Sequence, residues 1–369
     1  MLRKFLLAAS AIAISLFSVG QTASVPPATE TPATEKEAEK KSSTTITGSV
    51  DAYFRYNFAN AKADEATNNY TSFTNSQNSF ELGMASVKLE HSMGKVGAVI
   101  DLGFGTRAEE FSYADNATRF AIKQAYVTYS PSDKLKFTAG SWGTHVGYEL
   151  VDAYLNRNYS MSYMFSYGPF AHTGLKADIS LGGKNNLMLG IANPTDLKSA
   201  NFQQKMMIGQ FSTASKNDKI KVYLNYQGGK ASDEVKLNQG DLVVTGAISD
   251  KFSIGYNGTY QTWKQKGLDG KYGDDVNWFG SAIYLNVDPQ PWFGLTLRGE
   301  YFDDKDGASV GAFMSSIFAT TLSANFKVDN LTIIPEIRLE SSNNQIYVNG
   351  SGGPTKSTAT ALVAAVYKF

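Results

Sequence analysis

From Thr44 to Phe369 the chain repeats one pattern: about ten residues of alternating apolar and polar character, then a polar break. The breaks themselves alternate in length. Short turns fall at Ser92-Met93-Gly94, Pro131-Ser132-Asp133, Gly182-Gly183-Lys184-Asn185, Lys216-Asn217, Ser249-Asp250-Lys251, Asp288-Pro289-Gln290-Pro291 and Val328-Asp329-Asn330. Longer polar stretches lie between them: Ala59–Asn78, Ala108–Thr118, Gly143–Pro169, Asn193–Asn201, Gly229–Asn238, Lys264–Asp275, Asp303–Gly311 and Ser342–Thr355. Seven turns and eight loops separate sixteen predicted strands. An even count, with both termini on the short-turn side, predicts an all-β, transmembrane antiparallel barrel with short periplasmic turns and long extracellular loops. A soluble sandwich has no reason to sort its connections by length.

The alternation gives each strand two faces. In the first, Val50, Ala52, Phe54, Tyr56 and Phe58 oppose Asp51, Tyr53, Arg55 and Asn57. Near the end, Leu331, Ile333, Pro335, Ile337 and Leu339 oppose Thr332, Glu336, Arg338 and Glu340. Ile220, Val222, Leu224 and Tyr226 oppose Lys219, Lys221 and Asn225, and Phe252, Ile254, Tyr256 and Tyr260 oppose Ser253, Asn257 and Gln261. The apolar faces suit lipid and the polar ones a lumen. The strands around Lys123 and Ile208 have no readable phase. The last strand, STATALVAAVYKF, carries Ala359, Ala361, Val363, Ala365, Tyr367 and Phe369 on one face, while Leu362 and Val366 break the polar face. A terminal strand that stops on Phe resembles the closing strand of bacterial outer-membrane barrels. That likeness implies recognition by the barrel-assembly machinery through Phe369.

Composition narrows the reading. Basic and acidic residues number 34 each, so no basic excess points to nucleic acid. Aromatics at 12% and 33 glycines favour strands. With no cysteine there are no disulfides, thiolate metal sites or lipid-anchoring thiol. The amino terminus, MLRKFLLAASAIAISLFSVG, has Arg3 and Lys4 before an apolar run to Phe17, which predicts a signal peptide over residues 1–23, cleaved near Gly20 or Ala23. Residues 24–43, rich in Pro, Thr, Glu and Lys, predict a disordered periplasmic tail. The barrel is expected over 44–369, in the outer membrane of a Gram-negative bacterium.

Sixteen strands enclose an aqueous channel unless something plugs it. The third long loop, Gly143–Pro169, is the longest and least polar, too apolar for a free loop with Tyr148, Leu150, Tyr154, Tyr159, Met161 and Phe165. We expect it to fold inward as a constriction, with Glu149, Asp152, Arg157 and His145 setting size and charge selectivity. Alternation places Arg55, Lys176, Asp178, Arg298, Glu300, Glu336, Arg338 and Glu340 on the lumen wall.

The segment NRNYSMSYMFSYGPFAHTG, Asn156 to Gly174, resembles the signature region of the OmpL-like β-barrel porins, and GYELVDAYLN, Gly147 to Asn156, is similar to the same family's loop. The resemblance covers essentially all of Thr44–Phe369. It implies a passive outer-membrane diffusion channel for small hydrophilic solutes and ions, with no catalytic residues. The alternative is a non-conducting surface barrel or a secreted β-protein that binds glycans or host ligands.

Candidate chemistry adds little. The three histidines, His91, His145 and His172, fit no metalloprotease or paired-His motif, and no GxSxG occurs. Asp303-Asp304-Lys305-Asp306-Gly307 suggests a calcium loop, but Phe302 and Phe313 stand at its first and twelfth ligand positions. GSGGPTKS, Gly350 to Ser357, suggests a phosphate loop, but Thr355 replaces the Gly before Lys-Ser. No cofactor or metal is expected. The expected partners are outer-membrane lipid, lipopolysaccharide and small solutes, and a homo-oligomer is left open.

Overall fold

The computed structural model describes residues 42–61, 67–309, 311 and 313–369. The expected signal peptide, 1–23, lies outside the described residues, as does the expected tail up to residue 41. Ser42 and Ser43 belong instead to the first strand, β1 (Ser42–Asn57), because their backbones pair with Met93 and Ser92. The strands that follow are β2 (Ser79–Met93), β3 (Val96–Phe104), β4 (Ile122–Ser132), β5 (Leu135–Gly143), β6 (Ala171–Gly182), β7 (Asn185–Ala192) and β8 (Met206–Ala214). Then come β9 (Ile220–Lys230), β10 (Val235–Ser249), β11 (Phe252–Gln265), β12 (Val276–Gln290), β13 (Phe293–Asp304), β14 (Ser315–Val328), β15 (Leu331–Ser342) and β16 (Ser357–Lys368).

Each strand pairs antiparallel with its sequence neighbours, and β16 returns to β1, so the sheet closes. Gly48 and Phe369 exchange both backbone hydrogen bonds across that seam, at 2.9 and 3.0 Å. Closure satisfies edge groups that lipid cannot solvate. No helix among the described residues is long and apolar enough to cross a membrane; the strands do the crossing.

The connections follow the punctuation with small shifts at their ends and two larger corrections, the second of which breaks the alternation, since residues 231–234 are fewer than 215–219 before them. Asp288, Pro289 and Gln290 belong to β12, so that turn is Pro291-Trp292 and Asp288 is a wall residue. The fifth loop, expected over Gly229–Asn238, shrinks to residues 231–234, because β9 and β10 stay paired as far as Lys230 and Lys236. The calcium-like stretch is the end of β13 and the loop after it, and the phosphate-like stretch is the end of the last loop and the first residue of β16. Asp304 accepts hydrogen bonds from Ser309 and Phe313, and Pro354–Thr355 pairs with Tyr347–Val348 as a small hairpin.

The faces follow the alternation. Asp51, Tyr53, Arg55 and Asn57 are buried inside, while Val50 and Phe58 are exposed outside. The two strands without a readable phase have distinct causes. A bulge opposite Asp101 turns both Lys123 and Gln124 inward in β4. In β8, Met206 and Ile208 are buried inside while Met207 is exposed outside, so both faces are apolar. The irregular terminal strand is explained from within: Leu362, Ala364 and Val366 face the lumen and pack with Tyr53, Ala153, Tyr159 and Ile334.

Candidate functional site

Loop three leaves β5 at Thr144, rejoins β6 after Phe170, and folds into the barrel. Tyr159, Met161 and Tyr163 are fully buried there, at 0% exposure. The expected range of 143–169 shifts by one residue, since Gly143 ends β5.

The first stretch runs past β8 to β12. His145 Nε2 lies 3.1 Å from the Tyr226 carbonyl, and its ring sits 5.0 Å from that of His172. Burial and the Lys176 ammonium hold the His145 imidazole down at about 4, so the ring is neutral at ordinary pH and donates from Nε2. Gly147 N–H donates to Asp241 at 3.0 Å and Tyr148 N–H to Asn257 at 3.3 Å. The Tyr148 ring stacks on Tyr284, with centroids 4.0 Å apart. Gly255 makes room for it, since a Cβ there would stand 2.6 Å from the Tyr148 ring.

The middle stretch is fastened by charge. Glu149 accepts from Arg298 at 2.6 Å, from Tyr284 at 3.2 Å and from Ser162 N–H at 2.7 Å. Asp152 accepts from Lys123 at 2.5 Å, and Lys123 also lies 3.1 Å from Asp101. Asn156 ties the loop to itself, bonding both Leu150 N–H (3.0 Å) and Leu150 C=O (2.5 Å). Arg157 reaches towards the short-turn end and forms a two-pronged pair with Asp288.

Beyond Arg157 the backbone itself is held by wall side chains. Glu336 accepts the N–H groups of Tyr159 (2.9 Å) and Ser160 (3.2 Å). Arg298 donates to the carbonyls of Ser160 and Met161, Arg338 to that of Met161, and Glu300 accepts from Tyr163 N–H. The Tyr159 hydroxyl donates to Asp51 and the Tyr163 hydroxyl to Glu340. A short helix, α1 (Tyr163–Tyr167), follows with Ser162 as its cap, and Tyr163 packs with Phe302 and Phe313. A buried charge is tolerated only when paired. Arg298 and Arg338 meet that condition with Glu149, Glu300 and Glu340.

The structure therefore separates the lumen charges expected from sequence into two groups. Arg298, Glu300, Glu336, Arg338 and Glu340 are buried and grip loop three rather than facing an aqueous lumen, because the loop lies over them. Arg55 is buried too and donates to the carbonyls of Thr67 and Ser76 in the first loop. Lys176 and Asp178 face the part of the lumen that loop three leaves uncovered, 3.6 Å from each other. Sequence reasoning did not single out their neighbours there. Lys88 and Glu90 pair at 2.9 Å with side chains 28% and 44% exposed, and Lys136 lies 3.7 Å from Asp178 and is 51% exposed. All three sit at lumen positions of alternating strands, so the periodicity carried the signal. Lys123 was hidden by the bulge, and Asp288 by its place among turn residues.

Space follows the same division. Loop three lies flush on β10 and β11, where a gap of about 10 Å³ remains around Gly147, Asp241 and Asn257. A cavity of about 550 Å³ opens on the long-loop side, lined by Tyr70, Glu110, Tyr113, Tyr167, Phe170 and Asp196 among others. One of about 480 Å³ opens on the short-turn side, lined by Lys136, Asp178, Asn186 and Gln210 among others. Asp196 ties loop four to the end of loop three, accepting from the N–H groups of Phe170 (2.7 Å) and Ala171 (2.8 Å). Burial raises its carboxyl to about 6. Among the described residues no group of three or more His, Cys, Asp or Glu side chains is placed to hold a metal ion.

Comparison with known proteins agrees with this architecture. The fold matches the outer membrane channel DcaP of Acinetobacter baumannii with a TM-score of 0.60 at 12% identity, covering 89% of this chain and 97% of that one. It matches OmpT, an outer membrane protein of Vibrio cholerae, at 0.57 and 10%, covering 89% and 98%. The trimer form of OmpT matches at 0.56 and 12%, covering 89% and 99%. At these identities the likeness is one of fold. No curated protein matches the chain in sequence. The family model described as "Putative beta-barrel porin-2, OmpL-like" matches residues 43–369. With nearly every described residue inside that match, the chain belongs to the OmpL-like β-barrel porins and forms an outer-membrane channel.

Proposed function

We propose that this channel is a narrow passive pore for small hydrophilic solutes and ions, in which loop three is a fixed sieve rather than a mobile gate. The observation that carries this is the clamping of the loop along most of the wall, from β8 round to β1, and at one further point on β4. Wall groups from β4 and from β8 through β1 bind it, and the more exposed lumen charges, Lys88, Glu90, Lys136 and Asp178, lie on the wall it leaves free. A solute in that gap trades part of its hydration for these groups. Their signs are mixed, which suits small polar solutes of either charge. No catalytic role is assigned to any residue. Export through the signal peptide, assembly through Phe369 and a homo-oligomer belong to the same proposal. The test is single-channel recording of refolded protein in a planar bilayer, with liposome swelling in sugars of increasing size. Stepwise openings and a sharp size cut-off support the sieve. An inserted barrel without steps would favour a plugged, ligand-binding surface protein instead.

A further inference from the structure

We infer that the outer wall of β9–β11 carries a binding site for the phosphate groups of an outer-leaflet glycolipid, built from Lys230, Lys236 and Lys264. Sheet register brings these three together. Lys236 stands directly opposite Lys230 on β9 and directly opposite Lys264 on β11, so three ammonium groups line up across adjacent strands. Like charges placed directly opposite one another destabilise a sheet, and the arrangement needs an anion to offset it. The chain supplies little of that. Among the described residues the row's one ion pair is Lys264–Asp275 at 3.1 Å, while Lys236 lies over the Tyr272 ring at 4.1 Å. Lys230 and Lys236 thus make no ion pair among the described residues, although Asp233 and Glu234 stand in the loop between them.

Placement identifies the anion. The row is on the lipid-facing side, as is the aromatic band beneath it. Tyr226 and Tyr260, 45% and 51% exposed, lie four residues along the strand from Lys230 and Lys264. Four residues at about 3.4 Å each, on strands tilted by roughly 40°, put the ammonium groups about 10 Å further out along the membrane normal. Outward tyrosines mark the boundary of the hydrocarbon, so the lysines stand at headgroup height on the long-loop, extracellular side. An anion fixed at that height and reached from the lipid side is a phosphate on a membrane lipid. Lysine, a compact point charge with three donors, suits it.

The experiment uses the refolded full-length barrel in detergent and measures binding of diphosphorylated lipid A, its dephosphorylated form and inorganic phosphate by native mass spectrometry and titration. The variants are Lys→Gln and Lys→Arg at all three positions. We expect the diphosphorylated lipid to bind at least about tenfold more tightly than the dephosphorylated one, and the Gln variant to lose that preference. The Arg variant is expected to keep it, with heat-modifiable migration unchanged in both. Equal binding of the two lipids, or an undiminished preference in a folded Gln variant, would overturn the proposal. Competition by inorganic phosphate at concentrations comparable to the lipid would do so as well, since it would make the row a free-phosphate site.

Discussion

Arg157 of loop three and Asp288 of β12 are joined by two parallel hydrogen bonds, 2.9 and 3.0 Å long, that pin the deepest part of the loop to the wall. The wall beside the pair is bare: a Cβ on Gly294 would crowd both the Asp288 carboxylate and the Arg157 guanidinium. Planar two-point pairing holds direction as well as charge.

Cutting this anchor should loosen the tip of the loop without harming the barrel. Both partners are about a third exposed, so the pair contributes no more than about 1 kcal/mol to stability. Arg157→Gln and Asp288→Asn are expected to keep the melting behaviour of the parent while adding rapid flicker to the open-channel current. Gly294→Val should do the same by displacing the pair. Steady currents in all three would show that Arg157 does not restrain the loop.

How far the sequence could lead is visible in these same residues. Arg157 was readable as a loop-three charge, but Asp288 sat in a Pro-rich stretch that reads as turn, because a strand running into Pro289 has no distinct local pattern. Strand count, most connection lengths and the facing of Arg55 or Glu336 were legible, since lipid forces a period of two on each strand. Partners were not, because periodicity says which way a side chain points and nothing about what covers it. Leu362 and Val366 make the point: they looked like faults in the alternation, and they are the apolar floor on which Tyr159 rests. Apolar residues at lumen positions were the signal for a docked loop.

The Arg298–Glu149 pair should behave differently from Arg157–Asp288, for it is buried, with side chains 0% and 4% exposed. Removing Arg298 strands the Glu149 carboxylate in the interior, at a cost of about 3–5 kcal/mol, whereas removing Glu149 leaves Arg298 with Glu300 at 3.5 Å and costs less on that account. Glu149→Ala also deprives Ser162 N–H and the Tyr284 hydroxyl of their acceptor. The expected result is a lower midpoint in heat-modifiable migration together with a larger, less uniform conductance. An unchanged midpoint would mean that water reaches this pair.

Ion selectivity should instead answer to the free wall. Lys88→Glu and Lys136→Glu replace exposed lumen cations without touching loop three, and each changes the local charge by two units. Both are expected to move the reversal potential in a salt gradient towards cation preference, more strongly at low ionic strength, where screening is weaker. Reversal potentials equal to the parent's at low salt would place the conducting path elsewhere.

The neutral imidazole of His145 predicts a dependence on acid. Its folded value of about 4 lies below the ordinary 6.5, chiefly because of burial, with Lys176 adding repulsion and the Tyr226 carbonyl opposing the shift. Across that window the unfolded chain binds the proton and the folded one does not, so stability increases with pH. The His145 contribution is therefore complete above about 6.5 and is lost as the pH falls towards about 4. Once charged, the ring faces His172 at 5.0 Å and the Lys176 ammonium, and the first stretch of loop three is pushed off β9. Melting of the parent is expected to weaken between those limits, while His145→Gln, which keeps a donor for the Tyr226 carbonyl, flattens the profile there. Identical profiles for parent and variant would assign the acid sensitivity to other groups, Asp196 excluded: its raised carboxyl gives the opposite slope, gaining stability as the pH falls through about 6.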